Sequence, residues 1–282
     1  NEVGLASDWA AQAVDLARPG GDSKRLAYTL ARAGHFAFAS GNFEPAMAML
    51  TESLEICDRI GYEDGKAWPV TLIAQARRWS GDDDPEIRTM LLDARRRFVE
   101  IGETYGQTHV NMLLGSFTEL DQAVRAEFAT EMVELGRRQG GDNTILPIAM
   151  HNLAYPVWAM GEYERAWGLN RLAVRAAMAS GMIMNLGLAL LQAATFEAER
   201  GAPERAAVML GSGTAHFGMQ VAPFQEVTLA PARQASQEAL GHTRFEELRR
   251  IGLAMTAEEA AAYALRDPSD AQRRSSASRD GA

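Results

Sequence analysis

Apolar residues recur along this chain at spacings of three, four and seven, the signature of helices with one buried face. No stretch alternates as a strand would, and no hairpin dipeptide separates β-branched runs. A longer period lies over the helical one. Leu30, Val70, Val110, Met150 and Leu190 are 40 residues apart and all apolar. Ala33, Ile73, Leu113, Leu153 and Ala193 repeat the pattern three residues later, on the same helix face. Ten apolar hits in a chain that is 47% hydrophobic arise by chance about once in two thousand trials. The period belongs to the chain.

Gly41, Gly81, Gly161 and Gly201 mark the same cadence, with Asp121 in the empty slot. Glycine ends a helix by entering the left-handed conformation, and the acidic residues and prolines that follow suit the first turn of the next helix. Beyond each turn come Ala46, Ile87, Ala126, Ala166 and Ala206, then Ser53, Ala94, Val133, Ala173 and Gly213. Seven residues, two turns, separate the two sets, so they share a face. The predicted unit is helix, Gly turn, helix, loop. The predicted helices are 26–40 with 43–60, 65–79 with 85–101, 105–119 with 122–139, 145–160 with 163–180, and 183–199 with 203–217. The third pair is the weakest, because Asp121 and Gln122 replace the glycine. A hairpin of this kind cannot bury its apolar face alone and must stack on neighbours.

The register runs off the front: Ala6 and Ala13 lie 40 before Ala46 and Ser53. Residues 1–17 therefore read as the second helix of a truncated repeat, and the chain as part of something longer. Residues 26–218 read as five hairpins. After them, 219–265 read as a degenerate closing repeat and cap, with helices at 225–240, 242–252 and 256–265, and Thr256–Glu259 as a capping box. Residues 266–282 are polar, Ser/Arg-rich and free of aromatics, and read as disordered.

Composition narrows the function. The net charge of −9 argues against a general nucleic-acid binder. A single cysteine, Cys57, excludes an internal disulfide framework and fits the cytoplasm. No apolar run reaches the ~18 residues of a membrane span; Met182–Ala194 comes closest and is interrupted by Asn185, Gly187 and Gln192. No membrane association is expected.

Leu30, Gly34, Gly41, Phe43, Ala46 and Leu54, and again Leu153, Ala154, Gly161, Tyr163, Ala166 and Ala173, resemble tetratricopeptide (TPR) repeats. The 40-residue period exceeds the usual ~34 and is similar to the MalT-type repeats of bacterial signal-transduction ATPases, the STAND class. The run Glu204-Arg-Ala-Ala-Val-Met-Leu-Gly-Ser, with Leu240-Gly, Phe245 and the segment Gly252–Leu265, resembles the tail of actinobacterial STAND transcriptional regulators of the LuxR and AfsR kinds. The resemblance implies an all-α, right-handed TPR-like superhelix. It also implies a non-catalytic interaction or effector-sensing arm attached to an ATPase domain. The chain itself has no G-x-x-x-x-G-K-[ST] loop and no recognisable helix-turn-helix.

Candidate chemistry is sparse, and no catalytic residue, metal or cofactor is expected. His35, His109, His151, His216 and His242 show no ligand spacing and read as turn and surface histidines. Gly211-Ser-Gly213 is no nucleophile elbow and suits close helix packing. Asp82, Asp83, Asp84 and Glu86 lack a calcium loop's spacing and read as a solvated helix start. Arg95–Arg97, with Arg77, Arg78 and Arg88, form one basic cluster, read as a solvated or partner-docking face. Cys57 reads as a small buried hydrophobe.

In TPR arrays the first-helix face opposite the stacking positions lines a concave groove. By that resemblance the binding candidates are Tyr28, His35, Phe38, Trp68, Gln75, Arg78, Trp79, Asn111, His151, Tyr155 and Trp158. Aromatic and Arg side chains are what interface anchors are made of. The expected occupant is a protein or peptide, or a small effector. Two other parents fit the same repeats: a free-standing TPR scaffold or peptide-binding protein, and the arm of a kinase or cyclase. An enzyme built within the superhelix would need a cluster of perturbed titratable groups, of which the sequence gives no sign.

Overall fold

A computed structural model of the chain describes residues 2–39, 41–117, 119–139, 145–218 and 223–266. It is all-helical, with fourteen α-helices and no strand among the described residues. The chain divides into two compact units, residues 1–117 and 118–282. The first holds α1 (Glu2–Ala17), α2 (Lys24–Ala39), α3 (Phe43–Arg59), α4 (Ala67–Trp79), α5 (Pro85–Glu100) and α6 (Thr104–Gly115). The second holds α7 (Gln122–Gln139), α8 (Ile145–Ala159), α9 (Tyr163–Ala179), α10 (Ile183–Glu199), α11 (Pro203–Phe217), α12 (Pro223–Leu240), α13 (His242–Leu253) and α14 (Ala257–Leu265). The polar tail expected from 266 onward lies, past Arg266, outside the described residues.

The predicted glycine turns are built as expected. In the first, the Gly41 amide donates to the Phe38 carbonyl (3.0 Å) and the Asn42 amide to that of Ala37 (2.9 Å). Gly41 sits at φ +81°. This pair of bonds is the Schellman motif, which satisfies the last carbonyls of the helix. Gly81, Gly161 and Gly201 repeat it. The structure adds a second set. Gly61, Gly102 and Gly181 close α3, α5 and α9 with the same two bonds. Chain reversals therefore fall about every 20 residues in these stretches, two to each 40-residue period.

The register positions form the core. Leu30, Val110, Met150 and Leu190 are buried, as are Ala33, Leu113, Leu153 and Ala193, and so are Ala46, Ile87, Ala166 and Ala206. Val70, Ile73 and Ala126 are half-buried. Ser53 shows how a polar residue occupies such a position: its hydroxyl donates to the Ala27 carbonyl on the facing helix (2.7 Å) and is fully buried. Cys57 is buried beside Leu30, Ala33 and Ile56.

In the first unit each helix packs on the next, and α2, α4 and α6 also touch in sequence. The first helices of successive repeats thus form one face. In α1, Ala13 is exposed although its counterpart Ser53 is buried; Trp9 and Leu16, on the same side, are exposed too. Ala6 lies outside the described side chains. The predicted third hairpin is split, with α6 in the first unit and α7 in the second. The missing glycine at 121 falls a few residues after this division.

In the second unit α8 to α11 pack in order, with α7 on α8. The closing segment then folds back. α12 packs on α10 and α11, α13 on α11, and α14 on α9, α10 and α11. Gly211 and Gly252 let α11 and α13 cross closely, since a Cβ on Gly252 would strike the Val208 backbone carbonyl. Thr256 caps α14 with the predicted box: its hydroxyl accepts from the Glu259 amide (3.2 Å), and Glu259 accepts from the Thr256 amide (2.9 Å). Arg205 ties this cap down, pairing with buried Glu197 (2.7 Å) and lying 5.0 Å over the Tyr263 ring.

Candidate functional site

The face shared by α2, α4 and α6 carries a cluster of rings in the first unit. His35 comes from α2, Trp68 and Gln75 from α4, and Tyr105 and His109 from α6. The His35 ring stacks near Trp68 (6.2 Å between centroids) and meets His109 edge-on (5.9 Å). Trp68 stacks on Tyr105 (5.6 Å) and lies 5.7 Å from His109. Phe98 of α5 closes the inner side of Trp68 at 5.1 Å. Aromatic pairs at such distances add to the stabilisation from burial alone.

The polar atoms of the cluster are only partly used. His109 Nε2 lies 2.8 Å from Gln75 Oε1. An amide oxygen only accepts, so the neutral ring donates from Nε2 and keeps Nδ1 as an acceptor. His35 Nδ1 is buried and has no hydrogen-bond partner. Burial pushes His35 down to about 4, helped by Arg32 one turn away. Burial pushes His109 to about 3, helped by His35 and Arg32. Both rings are neutral at pH 7. The Arg32 guanidinium lies 5.5 Å over Trp68 and 5.8 Å over Phe36.

The other candidates separate into distinct settings. Tyr28 is 60% exposed, one turn before Arg32 on the same side of α2. Phe38 is buried between hairpins, against Trp79 (5.0 Å) and Phe43 (5.3 Å). Trp79 is half-buried on that core. Arg78 donates to the Ser116 hydroxyl (3.2 Å) and carbonyl (2.9 Å) and lies 3.8 Å over Phe117. Asn111 is fully buried; its Oδ1 accepts from Arg95 Nε (2.9 Å), and its Nδ2 has no partner.

In the second unit His151 is half-buried, with burial lowering it to about 4 and its Nδ1 unpartnered. Its backbone carbonyl accepts from Gln192 (2.8 Å), whose Oε1 accepts from Asn170 (3.0 Å). Tyr155 lies under the Arg125 guanidinium at 5.6 Å. Trp158 is buried, stacked flat on Phe196 (4.2 Å), and its Nε1 donates to Glu199. Phe38, Gln75, Asn111 and Trp158 are thus withdrawn from solvent.

One reading of local chemistry needs correction. His35, His109 and His151 sit within helices, not in turns, each half-buried against its neighbours. Three arginines of the basic cluster are ion-paired, and Arg88 and Arg96 are exposed. Arg77 is held by Asp82 (2.7 Å), Asp84 (3.1 Å) and Glu86 (3.0 Å), while Asp84 caps α5. Arg96 pairs with Asp93 and Glu100, and Arg97 with Asp93 and Glu63. Sequence reasoning missed Arg32, Tyr105 and His109. Arg32 was within reach, since it follows Tyr28 by four and precedes His35 by three.

The chain matches no known family model and no curated protein. Among the described residues, no three His, Cys, Asp or Glu side chains group where they could hold a metal ion. No helix among them is long and apolar enough to cross a membrane.

Proposed function

We propose that this chain is the non-catalytic, TPR-like arm of a cytoplasmic STAND-class transcriptional regulator. In this reading the hairpins form a right-handed superhelix whose first-helix face binds a protein, a peptide or a small effector. Binding shifts an attached ATPase domain between a closed and an open state. Such a shift requires different affinities for the two states.

The observation that carries the reading is the juxtaposition of His35, Trp68, Tyr105 and His109 on one face of α2, α4 and α6. Aromatic residues with unsatisfied polar atoms on one shared face are what an anchor for a partner requires. The resemblance of the closing segment to regulator tails supports the choice of parent. The test is the reading frame on either side of this chain in the source DNA. A G-x-x-x-x-G-K-[ST] loop within the preceding few hundred codons, and a helix-turn-helix beyond residue 282, are expected. A start codon within one repeat of Asn1 and a stop directly after Ala282 would contradict the regulator and leave a free-standing scaffold.

A further inference from the structure

We propose that the first unit carries a subsite for a small planar aromatic carboxylate, its anion on Arg32 and its ring against Tyr105 and the outer edge of Trp68. The proposal rests on the reading of this face as a binding face, and names what it takes.

The charge comes from Arg32. The chain carries 37 acidic against 28 basic residues, and several arginines of the first unit have found carboxylates, whereas Arg78 bonds Ser116 and Arg95 bonds Asn111. Arg18 pairs with Glu52, Arg59 with Asp22, and Arg77 with three acidic groups. No carboxylate among the described residues lies within ion-pair distance of Arg32, although the residue is half-buried, its guanidinium 5.5 Å from Trp68 and 5.8 Å from Phe36. A guanidinium held on rings keeps its donors directed outward for a planar carboxylate. It is one fixed positive charge. The two neighbouring imidazoles are neutral, so a singly charged anion fits better than a phosphate, which gathers several cations.

The shape comes from the rings. Trp68 and Tyr105 stack on successive first helices, and Tyr105 is 44% exposed. Tyr28, one turn from Arg32 on the same side of its helix, is also exposed. An aromatic occupant gains both ring contact and removal of apolar surface from water.

Isothermal titration of the full chain with 2-naphthoate tests this. One saturable site is expected. Arg32→Gln should weaken it roughly tenfold or more, and Tyr105→Ala several-fold, in line with loss of a charge-assisted contact and of ring packing. Neutral 2-naphthamide should bind at least tenfold more weakly, because it cannot pair with the guanidinium. Arg200→Gln removes a different guanidinium, one that lies 5.5 Å over Trp167 in the second unit, and should leave binding unchanged. Thermal melts show that each variant is folded. Arg32→Lys serves as a second variant that keeps the charge and loses the planar fork; it should bind between the native chain and Arg32→Gln.

No saturable binding to the native chain, or equal loss in Arg32→Gln and Arg200→Gln, would overturn the subsite. The outcomes also separate the two claims. Naphthoate binding that follows Arg32, in a parent frame without an ATPase, keeps the subsite and removes the regulator. An ATPase frame with no naphthoate binding does the reverse.

Discussion

His35, His109 and His151 each sit where a neutral ring is accepted and a charged one is not. Burial holds them at about 4, 3 and 4, below the ordinary value of 6.5. The unfolded chain therefore binds protons that the folded chain refuses. The resulting penalty is absent above about pH 6.5, grows as pH falls, and is complete only below the folded values. At pH 5 each imidazole should cost roughly 1–2 kcal/mol of stability. Chemical denaturation at pH 7 and pH 5 checks this. The loss between the two pH values should shrink by about 1 kcal/mol or more in His151→Gln. An unchanged loss would mean that His151 titrates normally. None of this was legible in the sequence. A histidine on a helix face reads the same whether solvent or a neighbouring helix lies over it, and the neighbour here comes from 34 to 74 residues away, as His109 meets Gln75 and His35. Arg32 was different, since helical spacing alone sets it beside Tyr28 and His35.

Helix boundaries were the most legible feature, because their signals are local. Gly41, Gly81, Gly161 and Gly201 are each followed by an acidic residue or proline, and the Schellman bonds form where that pattern predicts. Gly61 and Gly102 make the same bonds and are followed by Glu63 and Glu103, while Gly181 makes them with no acidic residue or proline close behind it. Contacts between distant helices were legible in one case, the Gly211-Ser-Gly213 segment. α11 and α13 approach so closely that a Cβ on Gly252 would strike the Val208 carbonyl and come within 2.8 Å of the Ser212 nitrogen. Backbone cannot yield as a side chain can. Gly252→Ala should cost about 1–3 kcal/mol by forcing the helices apart. Gly168, within α9, has open space where its Cβ would be. Gly168→Ala should gain up to about 1 kcal/mol from helix propensity. Urea denaturation of both variants reads the difference. A Gly252→Ala variant as stable as the native chain would show that the α11–α13 crossing is looser than its glycines indicate.

At the scale of the whole molecule, the period of 40 foretold an all-helical chain, and each unit is built of helices that pack on their neighbours. The division between units falls after Phe117, between α6 and α7, a few residues before Asp121, where that period loses its glycine. The groove candidates lie on α2, α4, α6 and α8 in a mixture of settings. Phe38 and Trp158 share a register position with Arg78, yet the first two are core and the third bonds Ser116. A repeat fixes where a side chain starts, and its neighbours decide whether it is covered. Variants that test function must therefore come from the accessible part of the face, not from Trp158. The central claim is that this face senses a partner or effector for an attached ATPase. The direct measurement is ATP hydrolysis and reporter transcription by the protein expressed from its full reading frame, native and with Arg32→Gln and Tyr105→Ala combined. The account predicts that the double variant stays folded, hydrolyses ATP at its basal rate and loses the inducible rise in both outputs. An inducible response equal to the native protein's would contradict it.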